Sequence, residues 1–343
     1  MTTRLIDPAL APGWPGAPIE TAPSAPTDRP ADLSATRPAP ASARISTAPG
    51  DQTTAPDLAP TAQQRAWRRA RAASRRRWPL GLIASLAILS VVLTAAFFPH
   101  WLSQVDPTAT DLMAVNRPPS WAHPAGTDYL GRDVFARIVY GARHSLLIGL
   151  GATAISALIG VVLGVLAGIS KPWVDTAVSR FVDILAAFPG ILLALVVIAL
   201  IGPGLVNLIV ALGVSHIPSY ARVVRAQTGQ VVRSDYVEQA RTLGWGRFGL
   251  TWRHVLPNAL GVVPVLATIG LGGAIVGAAA LSFIGMGPQP PTPEWGAILA
   301  ESRNYLRQAW WTGVLPGVAL TATVIASTVV GRTWQASSER RTP

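Results

Sequence analysis

Apolar residues fall along this chain in long blocks, not in alternation. Six blocks, at 80–98, 146–169, 181–201, 204–221, 260–283 and 311–330, approach or reach the roughly 20 residues with which a helix crosses a hydrocarbon layer. Glycine, proline and charged residues gather between them. A segment inside lipid must satisfy its backbone internally, and blocks without period-two alternation do so as helices. The pattern predicts an all-α integral membrane protein with six transmembrane helices. The first occupies 79–98, a loop follows at 99–143, and five helices make up a core at 144–334.

Composition agrees: 50% of the 343 residues are hydrophobic and 13% charged. There is no cysteine, which excludes disulfides and thiolate metal sites. No metal site is expected at all.

Residues 1–64 read differently. The stretch "APGWPGAPIETAPSAPTDRPADLSATRPAPAS" is rich in Pro, Ala, Ser and Thr. It carries too little aliphatic surface to offset the entropy of ordering, so a disordered tail is expected. No apolar run directly follows Met1, so a signal peptide is not expected. At 65–78 "RAWRRARAASRRRW" places seven arginines directly before the first block. Such a cluster anchors topology against anionic lipid, and nucleic-acid binding is not expected.

With that cluster in the cytoplasm, six spans return the C-terminus, 335–343, to the same side. Leaving aside the tail at 1–64, eighteen Lys and Arg residues then lie inside and six outside (Arg117, Arg132, Arg137, Arg143, Arg303, Arg307). The excess of positive charge inside supports this orientation in a prokaryotic cytoplasmic membrane.

The same scheme puts 235–258, "DYVEQARTLGWGRFGLTWRHVLPN", in a cytoplasmic loop between the fourth and fifth spans. Two short helices are expected, 235–243 and 248–255, separated near Gly244 because glycine supplies left-handed backbone. Asp235 and Glu238 sit near the positive start of the first. Phe248, Trp252 and Val255 recur at helical spacing and form an apolar face in the second. Pro257 is expected to stop that helix before the fifth span.

Glu238-Gln239-Ala240, then Gly244, then Leu256-Pro257 resembles the Glu-Ala-Ala motif of ABC importer permeases, with Gln239 where alanine is usual. The stretches "GTDYLGRDVFARIVYGARHSLLIGL" (126–150), "SRFVDILAAFPGILLAL" from Ser179 and "FIGMGPQPPTPEWGAILAESRNYLRQAWWTGVLPG" (283–317) are similar to the C-type permease subunit of dipeptide and oligopeptide importers. The resemblance spans about 126–331, and the ending "GRTWQASSERRTP" departs from it. It implies a type I ABC importer permease fold whose loop, a cytoplasmic coupling helix, seats in an ATPase groove. Its coupling residues would be Glu238, Gln239, Ala240, Gly244, Phe248, Trp252, Leu256 and Pro257. The implied partners are a B-type permease subunit, two ATPase subunits, an extracytoplasmic substrate-binding protein and membrane lipid. The implied cargo is di- or oligopeptide, with nickel chelates, glutathione and other small solutes as alternatives.

This chain is not expected to be an enzyme or to bind a cofactor. A nucleotide-binding P-loop needs Gly-Lys-Ser/Thr, and the sole lysine is Lys171 in "ISKPW". ATP and Mg would be used by the partner subunits. An ion-driven secondary transporter is the rival class, and it needs ionisable groups within the spans. Asp183, with Arg180 at ion-pair spacing, and His216 are the candidates, and interfacial pairing and a bond to a backbone carbonyl are their plainer readings. Gly160, Gly164 and Gly168, with Gly273 and Gly277, form small-residue stripes, part of which is expected to meet a second permease. The resemblance further implies that Asp128, Arg132, Asp133, Gln289 and Trp295 help form the outer mouth on which the binding protein would dock.

Overall fold

The computed structural model describes residues 62–338, so the tail expected at 1–64 and the last five residues fall essentially outside it. α1 (Ala62–Phe97) joins the basic segment and the first apolar block in one helix of 36 residues. After α2 (Pro99–Leu102), residues 103–133 form an irregular crust with one tight turn at Leu112–Ala114. α3 (Val134–Ile169) begins where the Asp133 carboxylate accepts from the Ala136 N–H, an N-cap. The loop expected at 99–143 therefore ends at Asp133, and 134–143 are the start of α3 itself.

α4 (Pro172–Ala186), α5 (Gly190–Ile201) and α6 (Leu205–Val232) follow. The loop is built from α7 (Asp235–Thr242), α8 (Arg247–Leu250), a π turn over Thr251–Val255 and α9 (Leu256–Ala259). α10 (Val263–Phe283), α11 (Trp295–Ser302) and α12 (Trp311–Ser338) complete the chain. Residues 335–338, expected in a tail, continue α12.

Two of the six expected spans depart from a plain apolar helix. Among the described residues four helices are long and apolar enough to cross a membrane, or five if the bent pair α4–α5 counts as one. That pair bends by 87° at Phe188-Pro189, because proline lacks an N–H and keeps the preceding residue out of helical geometry. The expected fourth span is α6, whose 28 residues suffice in length while Asn207, Ser215, His216 and Ser219 dilute its apolar run.

α3 packs most closely on α6. A Cβ on Gly164 would lie 2.7 Å from the Ala221 carbonyl oxygen, one on Gly168 2.6 Å from Thr228 Cβ, and one on Gly160 would overlap Tyr220. This stripe is spent inside the chain and is not the part left for a second permease. Gly277 likewise meets Leu212, whereas Gly273 is exposed and a Cβ there would meet only His216 Nε2, at 4.0 Å. Around the seam Ile148, Ala152, Ala194, Ile198, Leu208, Leu212, Ala278 and Leu281 form a core drawn from α3, α5, α6 and α10.

The crust and α11 form a cap on one end of the bundle. Its centre is a buried ion quartet. Arg132 Nε donates to Asp128 at 2.7 Å and its Nη2 to Glu301 at 2.5 Å. Arg137 Nη1 donates to the same two carboxylates at 2.6 and 2.7 Å. Burial pulls the Arg132 pKa down, but the carboxylates of Asp128 and Glu301 outweigh it and hold it above its ordinary value. The guanidinium stays charged. Tyr129 stacks on Tyr305 at 4.9 Å and lies under Arg132. Glu294, also buried, accepts from Gly296 N, Ala297 N and Ser145 Oγ and so caps α11 against α3.

Two outcomes are expected in thermal unfolding of the detergent-solubilised protein. Gly164→Ala forces backbone apart at the seam and should cost about 1–3 kcal/mol, whereas Gly190→Ala, with nothing within 4 Å, should unfold like the wild type. Arg137→Met leaves two buried carboxylates sharing one arginine and should cost about 3–5 kcal/mol. Equal melting of both glycine variants would contradict the seam, and an unshifted Arg137→Met would contradict the quartet.

Candidate functional site

The end opposite the cap carries the α7–α9 loop. α7 closes in a Schellman motif. The Trp245 N–H bonds the Ala240 carbonyl at 3.3 Å, the Gly244 N–H bonds Arg241 at 3.1 Å, and Gly244 sits at φ +87°. The turn expected at Gly244 is thus formed by the residue that adopts left-handed backbone without a steric penalty.

Beyond it Pro257 does not stop the second helix. The path from Phe248 to Phe283 is one continuous helical run of 36 residues. Proline withholds the N–H that would bond four residues back, and the chain absorbs the gap in a π turn in which Leu256 N reaches Thr251 O. The wider turn also rotates the side chains. Val255 is buried, while Phe248 is 78% and Trp252 58% exposed, so the single apolar face expected for these three residues is split.

The buried half anchors the loop: Val237, Ala240, Leu250 and Val255 pack together under Val231 and Val232 of α6. The exposed half is apolar too. Leu243, Trp245, Phe248 and Trp252 face solvent, with the Trp252 and Phe248 rings 6.0 Å apart. Trp245 meets His254 edge-on at 5.2 Å and lies under Arg253. Of the remaining expected loop residues, Glu238, Gln239 and Pro257 are exposed, Ala240 is buried and Leu256 half-buried. The described ion pairs include none between Glu238 and Arg241. An open groove of about 1110 Å³ separates the loop from the end of α3, lined by Val165, Ile169, Lys171, Val237, Trp245 and Leu256 among others.

Two ion pairs tie α4 to α6 beside the loop. Arg225 grips Asp175 through two bonds of 2.6 and 2.7 Å, and Arg222 reaches Asp183 at 3.1 Å. Asp183 therefore pairs across helices and not with Arg180, because the α6 arginines lie beside the face that carries Asp175 and Asp183. These pairs were not legible from spacing along one helix. His216 Nδ1 lies 2.8 Å from the Leu212 carbonyl oxygen, which only accepts, so that nitrogen carries the proton. It satisfies its own helix, as the plainer reading had it.

At the cap end the expected docking residues need correction. Asp128, Arg132, Asp133 and Trp295 are at most 4% exposed and cannot meet an incoming protein directly. Their charges and indole are used internally: Trp295 Nε1 donates to Ile138 O at 3.0 Å, and Asp133 holds His123 at 2.8 Å. Gln289 alone is exposed, bonded to Gly285 and Gly287 carbonyls. Among the described residues no group of three or more His, Asp or Glu is placed to hold a metal.

Comparison with known proteins gives consistent results. The model of the binding-protein-dependent transport system inner membrane component matches residues 160–342. A di/tripeptide transport system permease protein DppC of Pseudomonas aeruginosa is 39% identical over 257 residues, 73% of this chain and 85% of that protein. A probable D,D-dipeptide transport system permease protein DdpC of Escherichia coli is 39% identical over 73% of this chain and 84% of its own length. A glutathione transport system permease protein GsiD of Pectobacterium atrosepticum is 39% identical over 74% and 85%. Among solved structures, an inward-facing MetNI methionine ABC transporter aligns at 22% identity and TM-score 0.47 over 57% of this chain and 95% of that one. An amino acid ABC transporter aligns at 14% identity and TM-score 0.49 over 59% and 94%. By the extent of the family match and the identity shared with these permeases, the chain belongs to the binding-protein-dependent transport system inner membrane components.

Proposed function

We propose that this chain is the transmembrane permease subunit of an ATP-driven importer that moves di- and oligopeptides across the cytoplasmic membrane by alternating access. The observation that carries the mechanism is the loop. An exposed apolar surface of Leu243, Trp245, Phe248 and Trp252 is held rigidly by Val237, Ala240, Leu250 and Val255. It is continuous with α10 through the unbroken run from Phe248 to Phe283. A push received there is delivered along a helix, not lost in a hinge.

The loop end is cytoplasmic by its arginine excess. There two ATPase subunits, which hold ATP and Mg, would receive this loop and that of a second permease. Glu238, exposed near the start of α7, is available to an arginine of the ATPase. The open face of α10 with Ile269, Gly273 and Val276 is offered to the second, B-type permease. An extracytoplasmic binding protein would deliver substrate at the cap.

Peptide cargo rests on relatives such as the di/tripeptide and D,D-dipeptide permeases. Glutathione, itself a tripeptide, is the second reading, because a permease named for it is equally identical to this chain. Uptake of labelled dipeptide, oligopeptide and glutathione by cells with and without the chain separates them. Loss of dipeptide uptake on deletion is expected, and loss of glutathione uptake alone would move the assignment.

Two loop variants test the mechanism. Gly244→Val imposes about 1–3 kcal/mol of left-handed strain in a place with room for the side chain. It should leave membrane insertion intact and abolish peptide uptake. Phe248→Ser with Trp252→Ser removes exposed contacts only, so the chain should fold normally yet fail to co-purify with the ATPase subunits. Co-purification at wild-type yield would remove the seat assigned to this surface.

A further inference from the structure

The burial of Asp128, Arg132, Asp133 and Trp295 leaves open where the cap would receive a protein. Elsewhere on the crust, Leu112 is 75%, Met113 83% and Trp121 104% exposed. Lipid is the ordinary partner of such side chains on a membrane protein, so their height above the bilayer decides what covers them.

α1 ends its apolar block at Phe97, and α2 follows at once with Phe98 and Trp101 stacked at 4.7 Å and exposed. On a chain that spans a membrane, such an exposed aromatic pair at the end of an apolar block marks the level of the interface. Tyr140 Oη lies 2.9 Å from His100 Nδ1, so the interface meets α3 at Tyr140. Val134, the first residue of α3, stands six residues further out, about 9 Å at 1.5 Å per residue.

The crust is fastened to that outer end. Val134 N bonds Gly126 O at 3.0 Å, Thr127 N bonds Arg117 O at 3.0 Å, and Thr127 Oγ1 donates to Ala114 O. The Leu112–Met113 turn is capped by Asp111 and braced by Arg117 Nη2 on Met113 O at 2.7 Å. The Trp121 tip is closed by Ser120 N on His123 O at 2.9 Å, and His123 is held by Asp133. Both tips are thus rigid, apolar and in water beyond the interface. Asp111 and Arg117 flank the Leu112–Met113 turn with charge of both signs, which is the anatomy of a protein interface.

We propose that the Leu112–Met113 turn and the Trp121 tip form the docking surface for the extracytoplasmic substrate-binding protein. This rests on the import reading above, and the family's description as binding-protein-dependent names the kind of partner. An aromatic and a methionine on fixed backbone supply large contact area at little entropic cost, as interface anchors do.

The test uses the assembled transporter, with both permeases and both ATPases, in lipid nanodiscs. Purified binding protein loaded with dipeptide is titrated while ATPase activity is measured. Trp121→Ser with Met113→Asp should raise the binding-protein concentration for half-maximal stimulation about tenfold or more. Basal ATPase and thermal unfolding should match the wild type, since neither side chain is packed. A photo-reactive residue at position 121 should capture the binding protein. Unchanged stimulation, or capture of lipid or of the second permease, would overturn the proposal. If the wild-type transporter shows no stimulation by any binding protein, the import reading itself fails first.

Discussion

Inside a bilayer, burial in protein offers an apolar side chain little that lipid does not, so helices there associate through close packing and the polar bonds that packing permits. The contact of α3 with α6 along Gly160, Gly164 and Gly168 meets that requirement by removing the side chains altogether. Its consequences reach both ends of the molecule. α3 continues outward into Arg137 and the cap quartet, and α6 continues into Val231 and Val232, under which the loop is packed. The Ser156 hydroxyl adds a bond of 2.8 Å to the Gly213 carbonyl across the same seam, a contact the glycine-permitted spacing allows.

The loop depends on a second accommodation. Pro257 should break a helix, and a break there would uncouple the exposed aromatics from α10. The π turn at Thr251–Val255 instead spreads the defect over one wide turn and keeps the run continuous. Widening the turn also separates Trp252 from Val255, so one residue points to solvent while the other anchors. The proline thus produces the two-sided loop and does not end it.

Much of this was legible from residue order. The block lengths placed α1, α3, α10 and α12, since long apolar runs carry their own signal, and glycine between two helical patterns marked the turn at Gly244. What failed was whatever depended on partners distant in sequence. Asp183 was matched to Arg180 on its own helix because spacing alone cannot show that Arg222, 39 residues on, lies closer in space. Asp128, Arg132 and Asp133 read as surface groups because charge in a polar stretch usually is. Only the arrival of Glu301 from 169 residues away allows Asp128 and Arg132 to be buried, while Asp133 is held by His123 and by the start of α3. The π turn left no signal beyond the proline itself.

The two ends are held by interactions of different strength. At the cap, four charges with exposures from 1% to 13% share hydrogen bonds, and removing any one strands another in a low-dielectric interior. At the loop end, Arg222 with Asp183 and Arg225 with Asp175 are 31–56% exposed, and pairs so wet contribute about 0–1 kcal/mol. A conformational change driven through the loop meets little resistance where α4 joins α6 and much resistance at the cap. For an importer working by alternating access this asymmetry keeps the cap constant. The ends of α4, α6 and α10 beside the loop are then the parts left free to move.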